Sequence, residues 1–115
     1  MHDAVTQPAG KVLTATETIE LGDACAGSVS RWAVWIEEAD GDTFDWSIAV
    51  RGSHAGSGRT KIAVRFQNQN APSTDVNAAI TAAGSYMIEA SGLDIALVCT
   101  RTAGTIRVIA SPLRG

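Results

Sequence analysis

Apolar and polar residues alternate along most of the chain, which is the pattern of half-buried β-strands. In the segment 44–51, polar or small residues separate Phe44, Trp46, Ile48 and Val50. The same alternation places on one face Ile19 and Leu21; Trp32, Val34 and Ile36; Ile62, Val64 and Phe66; Tyr86, Ile88 and Ala90; Leu93, Ile95, Leu97 and Cys99; and Ile106, Val108 and Ala110. We predict that each of these sets faces a common core.

Turn-forming residues separate these runs, as in 39–42, 52–58, 68–73 and 83–85. Short strands punctuated in this way are typical of an antiparallel β-sandwich or jelly roll, here of about eight strands. The alanine-rich segment 76–83 fits either a helical turn or a strand, and we assign it to a strand. We predict a single β-sandwich domain over 11–115, preceded by a flexible, extended N-terminal arm, residues 1–10.

The length of 115 residues corresponds to one domain. No apolar stretch is long enough to span a bilayer as a helix, and the N-terminus lacks the features of a secretory signal. We therefore expect no membrane partner and synthesis in a reducing compartment, where Cys25 and Cys99 are free thiols. Cys99 continues an apolar alternation and is predicted to be a small buried residue.

Charge is distributed unevenly between the two halves of the chain. Residues 1–58 carry nine acids and three bases, whereas residues 59–115 carry three acids and six bases, and the net charge is −3. This balance argues against a nucleic-acid partner. The asymmetry fits head-to-tail pairing of copies or docking on a charged surface, and equally a scatter of solvated charges.

Groups suited to catalysis or to metal binding are scarce. The histidines, His2 and His54, have no metal-ligand spacing, and no nucleophile motif accompanies them. The loop 51–61 resembles a phosphate-binding loop in part, but Ser53 replaces its first glycine and a strand pattern follows. The acidic run 37–45 lacks the EF-hand spacing. We interpret 51–61 as a flexible hairpin loop and 37–45 as a solvated turn between strands. We therefore expect no enzymatic activity and no cofactor.

Two apolar side chains fall on the wrong face for the core. The alternation that turns Trp32, Val34 and Ile36 towards the core turns Trp35 away from it. In the same way, Ile109 points away from the face that carries Val108 and Ala110. Tryptophan is enriched in protein interfaces, so an exposed tryptophan indicates a contact surface. The alternative is that another part of the same chain covers this face.

The run Ile80–Leu93, an alanine- and threonine-rich strand leading through a glycine turn into Tyr86-Met87-Ile88, is similar to sequences of tailed-phage structural proteins. The closing segment Arg107–Gly115 has the same character. Together with the predicted architecture, these segments resemble the capsid decoration, or cement, proteins of tailed bacteriophages. The resemblance has no diagnostic motif, so no family residue is carried over by position.

The resemblance implies a homotrimer bound to the major capsid protein on the outer capsid surface of the virion, after synthesis in the bacterial cytoplasm. The predicted partner-contact residues are Val5 and Pro8 in the arm, Trp35, His54 in its loop, and Ile109. A tail, neck or fibre component is an alternative, and so is a small carbohydrate-binding module.

Overall fold

A computed structural model describes residues 10–21, 29–39, 44–54, 58–69, 75–76 and 79–114. These residues form ten strands: β1 (Lys11–Leu13), β2 (Glu17–Glu20), β3 (Val29–Glu38), β4 (Asp45–His54), β5 (Ile62–Ala63), β6 (Phe66–Asn68), β7 (Asp75–Val76), β8 (Gly84–Glu89), β9 (Leu93–Ala103) and β10 (Ile106–Arg114). The predicted arm lies outside the described residues except for Gly10, and so do Val5 and Pro8.

The strands build two antiparallel sheets that pack face to face. One sheet has six strands in the order β1-β10-β3-β8-β6-β7, and the other has four in the order β2-β9-β4-β5. The predicted β-sandwich is therefore confirmed, while its jelly-roll form stays a prediction. The described strands exceed the predicted eight because β1, β5, β6 and β7 are each two or three residues long.

The core lies between the sheets and consists mostly of the side chains that the alternation placed inward, joined by Leu13 and Ile80. Buried apolar residues come from both sheets: Leu13, Ile19, Leu21, Trp32, Val34, Ile36, Trp46, Ile48, Val50, Phe66, Ile80, Tyr86, Ile88, Ala90, Ile95, Leu97, Cys99, Ile106, Val108 and Ala110. Alternating residues of a strand point to opposite faces, so a period of two accounts for the buried side chains of the long strands.

Two buried aromatic side chains, Trp46 and Tyr86, have hydrogen-bond partners for their polar atoms. Trp46 Nε1 donates to the carbonyl oxygen of Gly104 over 3.2 Å, and the Tyr86 hydroxyl donates to that of Ala82 over 2.7 Å. Tyr86 also meets Phe66 edge to face, with ring centroids 5.9 Å apart. These contacts remove the cost of burying unpaired polar groups and fix both rings in place.

One predicted strand is wrong. The run Ile62–Phe66 was expected to be one strand with Ile62, Val64 and Phe66 facing the core. Instead β5 belongs to the four-stranded sheet and β6 to the six-stranded sheet, so the chain changes sheets at 64–65. Phe66 is buried, but Ile62 is 68% exposed, because β5 is a two-residue strand at the edge of its sheet.

The segment 76–83 is a strand in part. Val76 ends β7, and Ile80 makes an isolated bridge to Ile48, with two backbone hydrogen bonds of 2.9 and 2.7 Å. Residues 77–78 lie outside the described residues. The bridge places Ile80 in the core beside β4.

Pro112 lies within β10, where a proline needs an explanation because it cannot donate to a neighbouring strand. The described pairing of β1 with β10 covers Ile106–Val108, whereas that of β3 with β10 continues to Arg114. Pro112 is therefore beyond the end of β1. The side of β10 that faces β1 has no described partner at this position, so the missing donor disrupts no described ladder bond.

Candidate functional site

The outer face of the six-stranded sheet presents apolar side chains around Trp35. In the register of the sheet, Ile109 of β10 lies opposite Trp35 of β3, and Ala33 of β3 lies opposite Met87 of β8. Val12 of β1 points to the same side. Trp35 is 47% exposed and Val12 is 45% exposed. We call this surface, formed by Val12, Ala33, Trp35, Met87 and Ile109, the Trp35 face.

Ion pairs and a hydrogen bond surround the Trp35 face. Trp35 Nε1 donates to Glu37 Oε1 over 2.8 Å, and Glu37 Oε2 lies 3.4 Å from Arg107 Nε. On the far side, Arg31 Nε is 3.7 Å from Glu89 Oε2. Exposed pairs of this kind add little stability. They do give the surface an apolar centre and a polar rim, the arrangement found in protein interfaces.

Trp35 and Ile109 both point outward, as the alternation predicts, and the register of β3 with β10 brings them together; Ile109 is half-buried. The reason is Gly10, whose backbone lies against the Ile109 side chain. A Cβ placed on Gly10 would collide with Ile109 Cγ1 and would lie 2.7 Å from the Val108 carbonyl oxygen. The chain thus enters β1 directly over one end of the Trp35 face.

We expect Gly10→Ala to destabilise the protein more than Gly92→Ala. Both glycines have positive φ, +71° and +75°, so both substitutions introduce backbone strain of about 1–2 kcal/mol. Gly92 has open space around it, whereas Gly10 does not, so the difference isolates the collision with Ile109 and Val108. The measurement is chemical denaturation of both variants. Equal losses of unfolding free energy would show that β1 does not dock as described.

His54 is not part of the Trp35 face. It ends β4 in the other sheet, exposed and opposite Leu93, so its predicted position in a loop is wrong: residues 51–54 continue the strand by pairing with β9. Beside it lies an open depression of about 450 Å³, lined largely by apolar atoms of β4, β5 and β9. We call this depression the β5 groove; its lining includes His54, Arg59, Ile62, Val64 and Leu93.

The acidic run 37–45 and the loop 51–61 do not form a recognisable binding site in their described residues. Within the described residues, no group of three or more His, Cys, Asp or Glu side chains is placed to hold a metal ion. Residues 40–43 of the acidic run and 55–57 of the loop lie outside the described part. In the described part of the acidic run, Glu37 is half-buried, whereas Glu38 and Asp45 are exposed.

Cys99 is a free, fully buried thiol in β9. Burial, helped by the negative charge of Glu17, raises the pKa of the Cys99 thiol from its ordinary value near 9 to about 12. The thiol therefore stays protonated and unreactive, since the thiolate is the reactive form. This confirms the predicted burial of Cys99; Cys25 lies outside the described residues.

Sequence reasoning missed Val12, Ala33 and Met87 as members of the Trp35 face. The sequence does indicate that Met87 points outward, because it lies between the inward-facing Tyr86 and Ile88 in an alternating strand. The alternation within one strand does not show which other strand is its neighbour in the sheet. The register of β3 with β8 determines that Met87 stands next to Ala33. Among the described residues, no helix is long and apolar enough to cross a bilayer.

The described chain is thus a two-sheet β-sandwich with an apolar, polar-rimmed outer face. No protein family model matches the sequence, and no curated protein matches it. A solved structure with a similar fold is that of the SPBc2 prophage-derived protein YomS, at a TM-score of 0.67 and 13% sequence identity. The match covers 89% of this chain and 85% of YomS. At this identity, the likeness establishes the fold alone.

Proposed function

We propose that this chain is a structural protein of a phage particle, and specifically a decoration protein that binds the outer capsid surface and stabilises the shell. The observation that carries the proposal is the Trp35 face. A rigid sheet presents an exposed tryptophan within an apolar patch, and tryptophan is enriched among the residues that dominate binding energy. Such a surface suits a protein whose role is to bind another protein.

The form of the molecule supports this role. A decoration protein has many copies of one partner surface available to it, and a multimer multiplies the strength of modest individual contacts. The main requirement is a rigid domain, so that little conformational entropy is lost when its contact residues bind. The six-stranded sheet satisfies it, because Trp35 lies on a central strand with β10 and β8 on either side.

The fold likeness supports a phage origin. YomS is described as prophage-derived, and we extend that origin, not any particular activity, to this chain. In the proposal, the protein acts as a homotrimer on the major capsid protein, through Trp35 and Ile109. It has no enzymatic activity, no cofactor, and neither nucleic acid nor membrane as a partner. It is made in the bacterial cytoplasm and functions on the virion.

The test is quantitative mass spectrometry of purified phage particles from the source, counting copies of this chain for each major capsid protein. A ratio of order one supports a decoration protein. A few copies per particle would overturn the capsid assignment in favour of a tail, neck or fibre component. Absence from particles would overturn the virion role, and quenching of tryptophan fluorescence by sugars would then favour a carbohydrate-binding module.

A further inference from the structure

The outward side chains of β3 follow a distinct order along the Trp35 face. In chain order they are Arg31, Ala33, Trp35 and Glu37, and the residues between them face the core. The strand therefore presents a cation at one end of the face and an anion at the other. Between the two charges, a small side chain stands next to the largest one.

The neighbouring strands extend this order into rows across the sheet, because directly paired residues of adjacent strands lie side by side. Two such rows cross the centre of the face. On β10, β3 and β8 in turn, the first row consists of Ile109, Trp35 and Ser85, and the second row consists of Ser111, Ala33 and Met87. On each strand, one row has a large side chain where the other row has a small one.

This pattern makes the face complementary to itself under one two-fold rotation. The axis lies between the two rows, parallel to the sheet and perpendicular to its strands. It stacks two copies face to face with their β3 strands reversed, so that each row lies over the other row of the second copy. On all three strands a large side chain then lies over a small one, as Trp35 does over Ala33 of the second copy. Close packing of an interface requires this kind of fit.

The same rotation brings opposite charges together at both ends of the face, because Arg31 of each copy lies over Glu37 of the other. Within one copy, Arg31 pairs with Glu89 at 3.7 Å and Glu37 pairs with Arg107 at 3.4 Å. The contact therefore joins two existing pairs into a line of alternating charge, from Arg107 through Glu37 and Arg31 to Glu89. What matters is the position of each charge within one sheet, since the charges of each pair nearly balance.

Charge also excludes the other face-to-face arrangement. A two-fold axis along the strands would stack Arg31 on Arg31 and Glu37 on Glu37 of the second copy. Like charges placed opposite one another disfavour that contact. Of the two arrangements, only the reversed one matches both size and charge.

We propose that two copies of this chain form a symmetric dimer through their Trp35 faces, with β3 stacked on β3 in the reversed direction. Sheets stack in this way inside β-sandwiches, about 10 Å apart and with strands about 30° from parallel. The contact uses the same surface on both copies, so it closes at two. Covering Trp35, which is 47% exposed, removes apolar area from water.

The size of the face predicts a weak dimer. From Arg31 to Glu37 the face spans about 20 Å along the strands, and from β1 to β6 it spans about 20 Å across them. A patch of that size covers about 400 Å² on each copy, whereas a standard interface covers about 800 Å² on each partner. The dimer does not depend on a virion role. Because it covers the face assigned above to the capsid, a copy that binds the particle must first leave the dimer.

Trp35 itself reports on this contact. The chain has three tryptophans, and the other two, Trp32 and Trp46, are only 2% and 3% exposed. Quenching of fluorescence by acrylamide therefore reports mainly on Trp35. The first experiment combines this quenching with sedimentation equilibrium of the full chain from about 10 µM to about 1 mM.

We expect the mass to rise towards that of two copies with increasing concentration, and the quenching to fall in parallel. A monomer throughout this range would overturn the proposal. Association that leaves the quenching unchanged would overturn it as well, because the contact would then lie elsewhere on the molecule.

Charge reversal in two separate variants supplies the sharper test. Arg31→Glu alone and Glu37→Arg alone each place like charges together at both ends of the dimer, and each is expected to weaken dimerisation roughly tenfold. An equimolar mixture of the two variants is expected to regain it. In the mixed dimer, one end has the opposite charges exchanged and the other end keeps the native pair. A mixture that dimerises no better than the separate variants would overturn the proposed two-fold arrangement.

Arg51→Glu is the matched control, because it makes the same charge change as Arg31→Glu at an exposed residue of the four-stranded sheet. We expect it to dimerise as the wild-type chain does, and an equal loss would overturn the contact in favour of a general charge effect. Circular dichroism verifies that each variant keeps the fold. A monomer abundant in particles would overturn the dimer alone, whereas a dimer absent from particles would overturn the virion role alone.

Discussion

Ile48→Ala is expected to lower the free energy of unfolding by about 2–5 kcal/mol. Ile48 is fully buried at the centre of the core and lies in β4, opposite Cys99 of β9. Its backbone also bonds to Ile80 on the other side. Truncation removes buried methyl and methylene groups and leaves a cavity that three tightly paired segments cannot collapse to fill.

The matched control is Ile62→Ala, which makes the same chemical change at a side chain 68% exposed. We expect its effect to be within about 0.5 kcal/mol of zero. Chemical denaturation followed by tryptophan fluorescence measures both variants. Similar losses for the two isoleucines would contradict the change of sheets at 64–65, because Ile62 would then have to be part of the core.

Trp35→Ala is expected to weaken binding to particles roughly thirty-fold or more, the effect of losing an interface residue worth about 2 kcal/mol. The physical reason is loss of the largest exposed apolar surface at the centre of the Trp35 face. The measurement is competition between the variant and the wild-type chain for particles of the source phage prepared without this protein, with bound copies counted by mass spectrometry.

Trp35→Phe is the control for this substitution. It keeps an aromatic ring at the same position but removes the Nε1 donor that bonds to Glu37 over 2.8 Å. We expect most of the binding to remain, and neither variant to lose much stability, because the side chain is 47% exposed. If Trp35→Ala binds particles as well as the wild-type chain, the Trp35 face is not the capsid contact.

The inward faces of the long strands were predictable from the sequence, because a strand has a fixed period of two. Trp32, Trp46 and Ile88 are buried as expected, and Trp35 points outward as expected. The neighbours of Trp35 were not predictable in the same way. Ile109 and Met87 reach it through pairing of strands far apart in sequence, and alternation carries no information about register.

The error at Ile62 has a related cause. The residues 62–66 keep a regular alternation while the chain passes from one sheet to the other, so the pattern shows no break. An apolar residue next to an edge is exposed or buried according to what covers it, and that depends on tertiary structure. The β5 groove and the position of His54 could not be predicted from the sequence, because both depend on the same tertiary contacts.

The last two strands, β9 and β10, have a consequence for how the chain folds. Each is inserted between strands made earlier: β9 between β2 and β4, and β10 between β1 and β3. A chain synthesised from its N-terminus therefore cannot complete either described sheet until both β9 and β10 are available. Folding dominated by such distant pairings takes milliseconds to seconds. Until β9 and β10 are in place, β1 and β2 each lack a neighbouring strand, so both sheets depend on the same two strands for completion.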